Sequence, residues 1–168
     1  MKIKYDIYIN VQGDEPLIPP EVINQVADNI YNAQEAGAAT LSERIISRRQ
    51  LFNPHIVKVV SDSEGYALYF SRAPIPWARD QFDDNTDLLP NANSFRRHLG
   101  IYAYRVGLLN QYVQWGVSPT EHLESLEQLR LLWHGQRIHV ADAVESPPHG
   151  VDTETDLIQV REFLERGK

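Results

Sequence analysis

The order of two patterns in the first 37 residues constrains the fold of this chain more than any other feature. Residues 5–11 are mostly β-branched or aromatic, which predicts a strand. The pattern ends in Gly-Asp-Glu-Pro at residues 13–16, a composition typical of a loop. Apolar residues then recur at helical spacing over residues 20–37, with proline in the first turn. A strand followed directly by a helix predicts an α/β fold.

Similar patterns in the rest of the chain predict several more strands. Residues 56–61 and 66–71 flank four polar residues and predict an antiparallel hairpin. Residues 73–93 contain three prolines and an acidic run, which predicts a mobile loop. Further strands are predicted at residues 38–41, 98–105 and 138–144, and a closing helix at residues 156–166.

The strongest helix signal lies between residues 118 and 135. Ser118, a following proline and Glu121 form a capping box at its start. Helical spacing groups four apolar residues into a packing stripe, namely Leu123, Leu126, Leu129 and Trp133. A second face carries Glu124, Glu127, Gln128 and Leu131. This second face is either a surface for ligand hydroxyl groups or an ordinary solvated face.

Length and composition indicate one α/β domain over residues 1–168. The net charge of −7 disfavours binding to nucleic acid or to anionic membranes, because no basic patch offsets it. The chain has no cysteine, which excludes disulfides and thiolate chemistry and is compatible with a reducing compartment. No apolar stretch is long enough to span a membrane. We therefore expect a cytoplasmic protein.

Two aspartates are the leading candidates for a metal site. Asp14 follows the first strand, where ligands collect in open α/β sheets, and Asp152 precedes the last helix. Asp14 is otherwise a turn-forming residue, and Asp152 is otherwise a helix N-cap, although Thr153 also fits that position. If the fold brings both carboxylates to about 4 Å, their repulsion of about 4 kcal/mol favours a bound cation, with magnesium the first suggestion.

A cluster of cations and imidazole lies at residues 95–98, Phe-Arg-Arg-His. Arg96 and Arg97 suit an anionic ligand such as a carboxylate, because guanidinium groups bind carboxylates in a bidentate fork. The alternatives are a surface cluster that balances the acidic loop and, for His98, a hydrogen-bonded structural role. Dinucleotide-binding, Walker A, zinc-protease and nucleophile-elbow motifs are absent from the sequence, which excludes several large enzyme classes.

Several stretches together resemble the 3-deoxy-manno-octulosonate cytidylyltransferases, the CMP-Kdo synthetases. They occur in the family's order over nearly the whole chain. The first is Asn-Val-Gln-Gly-Asp-Glu-Pro-Leu-Ile at residues 10–18, and the last is Gly-Val-Asp-Thr-Glu at residues 150–154. The stretches between them are residues 53–54, 56–60, 67–77, 96–105 and 123–130.

The resemblance implies a fold, a reaction and a set of site residues. The implied fold is nucleotide-diphospho-sugar-transferase-like, a Rossmann-like mixed sheet with helices on both faces. The implied reaction transfers CMP from CTP to the acid sugar Kdo, with release of pyrophosphate, for lipopolysaccharide synthesis. Asp14 and Asp152 resemble the catalytic magnesium ligands. The residues that resemble the sugar site are Gln12, Arg72, Arg96, His98, Tyr102, Glu124 and Gln128. A homodimer is also implied, with residues 98–105 in its dimerisation region.

The sequence departs from the family in one respect. Family members begin with a glycine- and Arg/Lys-bearing loop that holds the triphosphate, and these 168 residues contain no equivalent of it. We therefore expect an N-terminally truncated chain that corresponds to the larger C-terminal part of the enzyme, has low turnover alone and exposes the edge of its first strand. The alternatives are a noncatalytic dimerisation or interaction fragment and an enzyme similar to CMP-sialic acid synthetase.

Overall fold

A mixed sheet with helices on both faces forms the described part of the chain. The computed structural model describes residues 6–13, 15–82, 89–90, 94–147, 150–151 and 154–166. Its strands are β1 (Ile7–Asn10), β2 (Ala38–Arg44), β3 (Lys58–Ser61), β4 (Ala67–Ser71), β5 (Arg96–Arg105) and β6 (Ile138–Asp142). Its helices are α1 (Pro20–Asn32), α2 (Arg48–Phe52), α3 (Val106–Tyr112), α4 (Pro119–Glu124), α5 (Gln128–Trp133) and α6 (Glu154–Arg166).

The sheet has the order β4-β3-β5-β2-β6, and β1 also pairs with β5. Strands β2 and β6 are parallel, whereas the other pairings are antiparallel. The predicted hairpin is confirmed as β3 and β4. The mixed sheet confirms the predicted α/β class.

Each face of the sheet is covered by different helices. Val22, Val26 and Ile30 of α1 are fully buried against one face. Leu108 of α3 and Leu129 of α5 pack with Phe70 and Tyr102 on the other face. Burial of each such aliphatic side chain contributes about 1.5–3 kcal/mol, so both faces of the sheet contribute to stability.

The predicted helix of residues 118–135 is wrong as a single element. Its start is correct, because the Ser118 hydroxyl accepts a bond from the Glu121 amide at 3.2 Å and the Glu121 carboxylate accepts one from the Ser118 amide. Ser125, however, adopts a left-handed conformation at φ 53° and ends α4. A short turn then leads into α5. The chain therefore changes direction where the apolar spacing predicts one continuous helix.

This break also corrects the predicted faces of the helix. Leu126 and Leu129 are buried as expected, but Leu123 is 83% exposed and Trp133 is 57% exposed. Gln128 and Leu131, assigned to the polar face, are instead buried. The Arg130 guanidinium joins α5 to α4 through two bonds to the Glu121 carboxylate, at 2.7 and 2.5 Å. Periodicity failed here because it assumes one straight axis.

The predicted loop of residues 73–93 contains a packed anchor. Phe82 is buried in a small cluster with Ile45, Leu51 and Phe95. Residues 83–88 and 91–93 lie outside the described residues, so the predicted mobility there stays a prediction. Helices α2 and α3 were not predicted, since both have seven residues or fewer.

The predicted dimerisation region around residues 98–105 stays a prediction. This strand lies inside the sheet, and Leu99, Ile101 and Tyr102 are buried by the helices on either face. Among the described residues β1 pairs with β5 alone, so its other edge is open, as the sequence predicts. None of the helices in the described ranges combines the length and apolar character needed to cross a bilayer.

Candidate active site

A gap in the sheet beside β5 creates the candidate site. Strand β2 occupies one edge of β5 along most of its length. On the other edge, β3 pairs only with Arg96 and Arg97, and β1 pairs only with residues 102–105. Between them, the amide of His98 donates to the Val57 carbonyl at 2.8 Å. The next three residues of β5 therefore face a gap rather than a neighbouring strand.

This gap opens into a cleft of about 650 Å³, a volume suited to a small ligand. Strand β5, the loops before β3 and after β1, and the turn between α4 and α5 form its walls. The lining residues include Gln12, Asn53, Arg72, Arg97, His98, Gly100, Tyr102, Ser125, Glu127 and Gln128.

A bulge in β5 shapes the floor of the cleft. The β2 register runs from Thr40 opposite Tyr102 to Leu41 opposite Leu99, which leaves Gly100 and Ile101 as extra residues. A Cβ atom on Gly100 would lie 3.0 Å from Nε2 of Gln12. Glycine at this position therefore lets the Gln12 amide lie against the strand.

His98 is held as a neutral imidazole in the wall of the cleft. Its ring contacts the edge of Phe70, with 5.1 Å between centroids, and Nε2 lies 2.9 Å from the Thr40 hydroxyl. Burial lowers the pKa of His98 from 6.5 to about 3. The ring is thus uncharged near neutral pH and cannot act there as a cation for an anionic ligand.

The buried hydroxyl of Tyr102 belongs to a residue that packs beside His98 in the cleft and interacts with the side chain of Thr40. The Tyr102 side chain is only 2% exposed, and its hydroxyl makes no hydrogen bond of standard geometry among the described residues. Burial raises the pKa of Tyr102 well above 10.0, so the hydroxyl keeps its proton. Because an unpaired buried hydroxyl is unfavourable by about 1–3 kcal/mol, this group is suited to a polar ligand atom.

Arg72 and Glu124 tie together the walls of the cleft. The Glu124 carboxylate accepts bonds from the Ser71 hydroxyl at 2.6 Å and from the Arg72 amide at 2.9 Å. The Arg72 side chain donates to the carbonyls of Glu124 at 2.7 Å and Pro54 at 3.0 Å. Arg72 lines the cleft, whereas Glu124 lies behind it. Their predicted sugar contacts stay predictions, but both side chains already have a structural role.

Lys58 is an important residue that sequence reasoning missed. Its side chain is fully buried, and Nζ donates to the carbonyls of Asn53 at 3.0 Å, Ile56 at 2.6 Å and Arg72 at 2.5 Å. Burial lowers its pKa from 10.5 to about 8, partly opposed by the carboxylate of Glu124. A lysine inside an otherwise apolar strand was the available signal, because lysine is rarely buried without a partner.

The two neighbouring arginines of β5 have different surroundings. Arg96 binds the Asp142 carboxylate at 2.7 and 3.1 Å and does not line the cleft. Arg97 lines the cleft, and its Nε donates to Glu43. The terminal nitrogens of Arg97 are therefore the part of this cluster best placed for a ligand. The prediction for Arg96 remains untested.

The predicted metal ligands Asp14 and Asp152 both lie outside the described residues. Their chain neighbours Gln12, Glu15 and Gly150 all line the same cleft. Within the described residues, no group of three or more His, Asp or Glu side chains is placed to share a metal ion. Two aspartates would supply the hard oxygen donors that magnesium prefers.

Comparison with known proteins gives consistent results. A family profile described as cytidylyltransferase matches residues 1–138. The chain is 60% identical over 159 residues to a 3-deoxy-manno-octulosonate cytidylyltransferase of Pseudomonas fluorescens, covering 95% of this chain and 63% of that protein. It is 58% identical over 159 residues to the protein of that name from Hahella chejuensis, with 95% and 62% covered.

A solved structure is similar as well. It is described as CMP:2-keto-3-deoxy-manno-octonic acid synthetase complexed with CTP, and it matches with a TM-score of 0.85 and 38% identity. The match covers 99% of this chain and 65% of the solved chain. The chain thus spans about 63% of the length of the first of these relatives.

Proposed function

The chain belongs to the cytidylyltransferase family, and on that premise we propose that it binds Kdo in the transfer of CMP from CTP to this acid sugar. In the proposed reaction the anomeric hydroxyl of the sugar attacks the α-phosphorus of CTP. A phosphorus–oxygen bond to the sugar forms, the bond to pyrophosphate breaks, and the hydroxyl proton is released to solvent. The names of the relatives, and the CTP in the similar solved structure, support this assignment.

One observation carries the proposal for the sugar. Five residues that resemble the family's sugar site line a single cleft, although they are distributed over more than 100 positions of the chain. They are Gln12, Arg72, His98, Tyr102 and Gln128. A chance resemblance of short motifs would not be expected to bring all five to one place.

The chemistry of the cleft fits an acid sugar. Arg97 supplies positive charge for a carboxylate, because a guanidinium offers parallel donors to both of its oxygens. The hydroxyl of Tyr102 and the amide of Gln128 are suited to sugar hydroxyl groups. The lining also contains the neutral amides of Gln12, Asn53 and Gln128, as expected for a ligand with several hydroxyls.

We further propose that Asp14 and Asp152 hold a magnesium ion. The convergence of their chain neighbours on the cleft supports this proposal. A bound magnesium would supply positive charge that reduces the repulsion between an approaching oxygen and the α-phosphate. The cleft residues would meanwhile hold the sugar in the orientation that attack requires.

We also propose a cytoplasmic homodimer that binds neither nucleic acid nor membranes. Exposed aromatic rings of Phe52 and Trp77, in edge contact at 6.4 Å, support a protein contact away from β5. The net charge of −7 supports the absence of a nucleic-acid partner. Sedimentation analysis of the purified chain tests the dimer.

Sugar binding is the first property to measure. Calorimetric titration of the 168-residue chain with Kdo, in the presence of magnesium and CTP, should show one site that prefers Kdo to sialic acid. Arg97→Lys keeps the charge next to Glu43 but loses the fork, so affinity should fall about tenfold. Arg96→Lys, the matched control, should change affinity by less than about twofold.

Two outcomes would contradict the proposal. Preference for sialic acid would favour the related enzyme, and absence of sugar binding by a folded chain would favour a noncatalytic interaction fragment. A larger effect of Arg96→Lys than of Arg97→Lys would return the carboxylate contact to Arg96.

The magnesium proposal has its own measurement. Asp14→Asn retains size and hydrogen bonding but removes one negative charge. The magnesium concentration that half-saturates CTP-dependent sugar binding should therefore rise about tenfold or more. Glu154→Gln, which removes an exposed carboxylate near Asp152 in sequence, serves as the control and should leave this concentration unchanged. Equal effects of the two variants would contradict a specific role for Asp14.

A further inference from the structure

Thr40 makes an unusual set of contacts behind the cleft. Its side chain is fully buried, and its hydroxyl oxygen lies 2.7 Å from the Ile101 carbonyl oxygen and 3.0 Å from the Leu99 carbonyl oxygen. The third neighbour is Nε2 of His98, at 2.9 Å. All three distances are within hydrogen-bond range.

Counting protons determines the direction of these bonds. A threonine hydroxyl has one proton to donate and can accept two bonds, whereas a carbonyl oxygen only accepts. If the proton pointed to His98, two oxygen–oxygen contacts of 2.7 and 3.0 Å would have no proton between them. Directing the proton to the Ile101 carbonyl, or sharing it with the Leu99 carbonyl, leaves at most one such contact without a proton. On this ground Nε2 of His98 carries the proton that the Thr40 oxygen accepts.

From this accounting we propose that Thr40 is a positioning residue that holds His98 as the Nε2-protonated tautomer, so that Nδ1 accepts a hydrogen bond from a ligand hydroxyl. The reference to a sugar hydroxyl rests on the function proposed above. His98 lines the cleft, and among the described residues no group hydrogen-bonds to Nδ1. The lone pair of Nδ1 is thus the polar feature that the ring retains for a ligand.

This assignment divides the Arg-His cluster between two parts of the ligand. Arg97 attracts the carboxylate, whereas the Nδ1 lone pair would repel a carboxylate and attract a hydroxyl. The low pKa of His98 is consistent with this role, because a protonated ring would offer a donor at both nitrogens. The carbonyls of Leu99 and Ile101, at the bulge of β5, orient the Thr40 hydroxyl and so help to select this tautomer.

The tautomer can be measured without any ligand. The chain is labelled with ¹⁵N-histidine, and the signal of His98 is identified among the six histidines by its loss in His98→Gln. We expect the nitrogen shifts and couplings near pH 7 to show a protonated Nε2 and an unprotonated Nδ1. A protonated Nδ1, or a doubly protonated ring, would overturn the proposal.

A matched pair of variants tests the part played by Thr40. Thr40→Ser keeps the hydroxyl and should preserve the Nε2 proton signal, with Kdo affinity within about threefold of the unchanged chain. Thr40→Val removes the hydroxyl, so the Nε2 proton should exchange rapidly with water and Kdo affinity should fall about tenfold. A slowly exchanging Nε2 proton in folded Thr40→Val would overturn the role of Thr40.

These measurements separate the two proposals. The nitrogen shifts of the unchanged chain test the tautomer even if Thr40→Val does not fold. If the expected tautomer is found and Kdo does not bind, the proposed function fails while the Thr40–His98 assignment stands. If Kdo binds but Nδ1 carries the proton, the function survives and this inference fails.

Discussion

When the pH is lowered from 6.5 to 3, the unchanged chain should lose about 3 kcal/mol more unfolding free energy than a His98→Gln variant. The pKa of His98 is about 3 in the folded chain and about 6.5 when unfolded. Between these two pH values the unfolded state therefore binds a proton that the folded state does not bind. The stabilisation is fully present above pH 6.5 and is lost as the pH falls toward 3.

The size of this effect follows from the same pKa values. Converted in full to unfolding free energy, the pKa difference corresponds to roughly 5 kcal/mol. Water from the cleft can solvate a protonated ring, so we expect a loss of about 3 kcal/mol. Glutamine cannot titrate and can still donate an amide proton to Thr40. The carboxylates titrate equally in both proteins, so the difference between their unfolding free energies reports on His98 alone.

Urea unfolding at pH 6.5, 5 and 3, followed by tryptophan fluorescence, checks this expectation. The stability difference between the two chains should narrow or change sign in favour of His98→Gln as the pH falls. Parallel dependence on pH in both chains would show that the ring is not buried as a neutral group.

Replacement of Lys58 by methionine should lower the unfolding free energy at pH 7 by about 3 kcal/mol, because three carbonyls lose their donor. Methionine has a similar length and is apolar, so the side-chain volume is largely retained. The ammonium group links the loop before β3 to Arg72, and its loss removes that link between two parts of the cleft wall. Lys58→Gln, with two amide protons, should lose about half as much.

The pH dependence of this pair has the same sign as that of His98, because folding lowers both pKa values, but it occurs at higher pH. Lys58 has a pKa of about 8 in the folded chain and 10.5 when unfolded. As the pH rises between these values, the unfolded state binds more protons than the folded state, and the unchanged chain gains stability relative to Lys58→Met. Urea unfolding at pH 7.5 and pH 10 measures the gap. Equal stability at pH 7.5, or a gap that narrows with rising pH, would contradict the buried ammonium.

Local sequence signals predicted most of the architecture correctly. The run of β-branched residues at 5–11, the proline-initiated helix and the Ser118 capping box each depend on neighbours within a few positions. The failures had a different cause. Ser125 in a left-handed conformation has no reliable sequence signature, and it redirected the chain enough to expose Leu123 and bury Gln128.

The candidate site shows the same division. The motif resemblance identified Gln12, Arg72, His98, Tyr102 and Gln128, and the structure brings all five to one cleft. Sequence reasoning preferred Arg96 to Arg97 in the cluster because adjacent arginines carry the same local signal. The role of Lys58 depends on carbonyls from two segments, residues 53–56 and Arg72, which only the fold brings together.

The sequence by itself determined the α/β class, the order of the strands along the chain and the cytidylyltransferase family, because these properties follow from periodicity, turn composition and motif order. Only the tertiary structure decided where the cleft lies and which arginine lines it. Those properties depend on where β1 and β3 each stop along β5. Pairing between segments distant in the chain sets those endpoints, and no local pattern contains them.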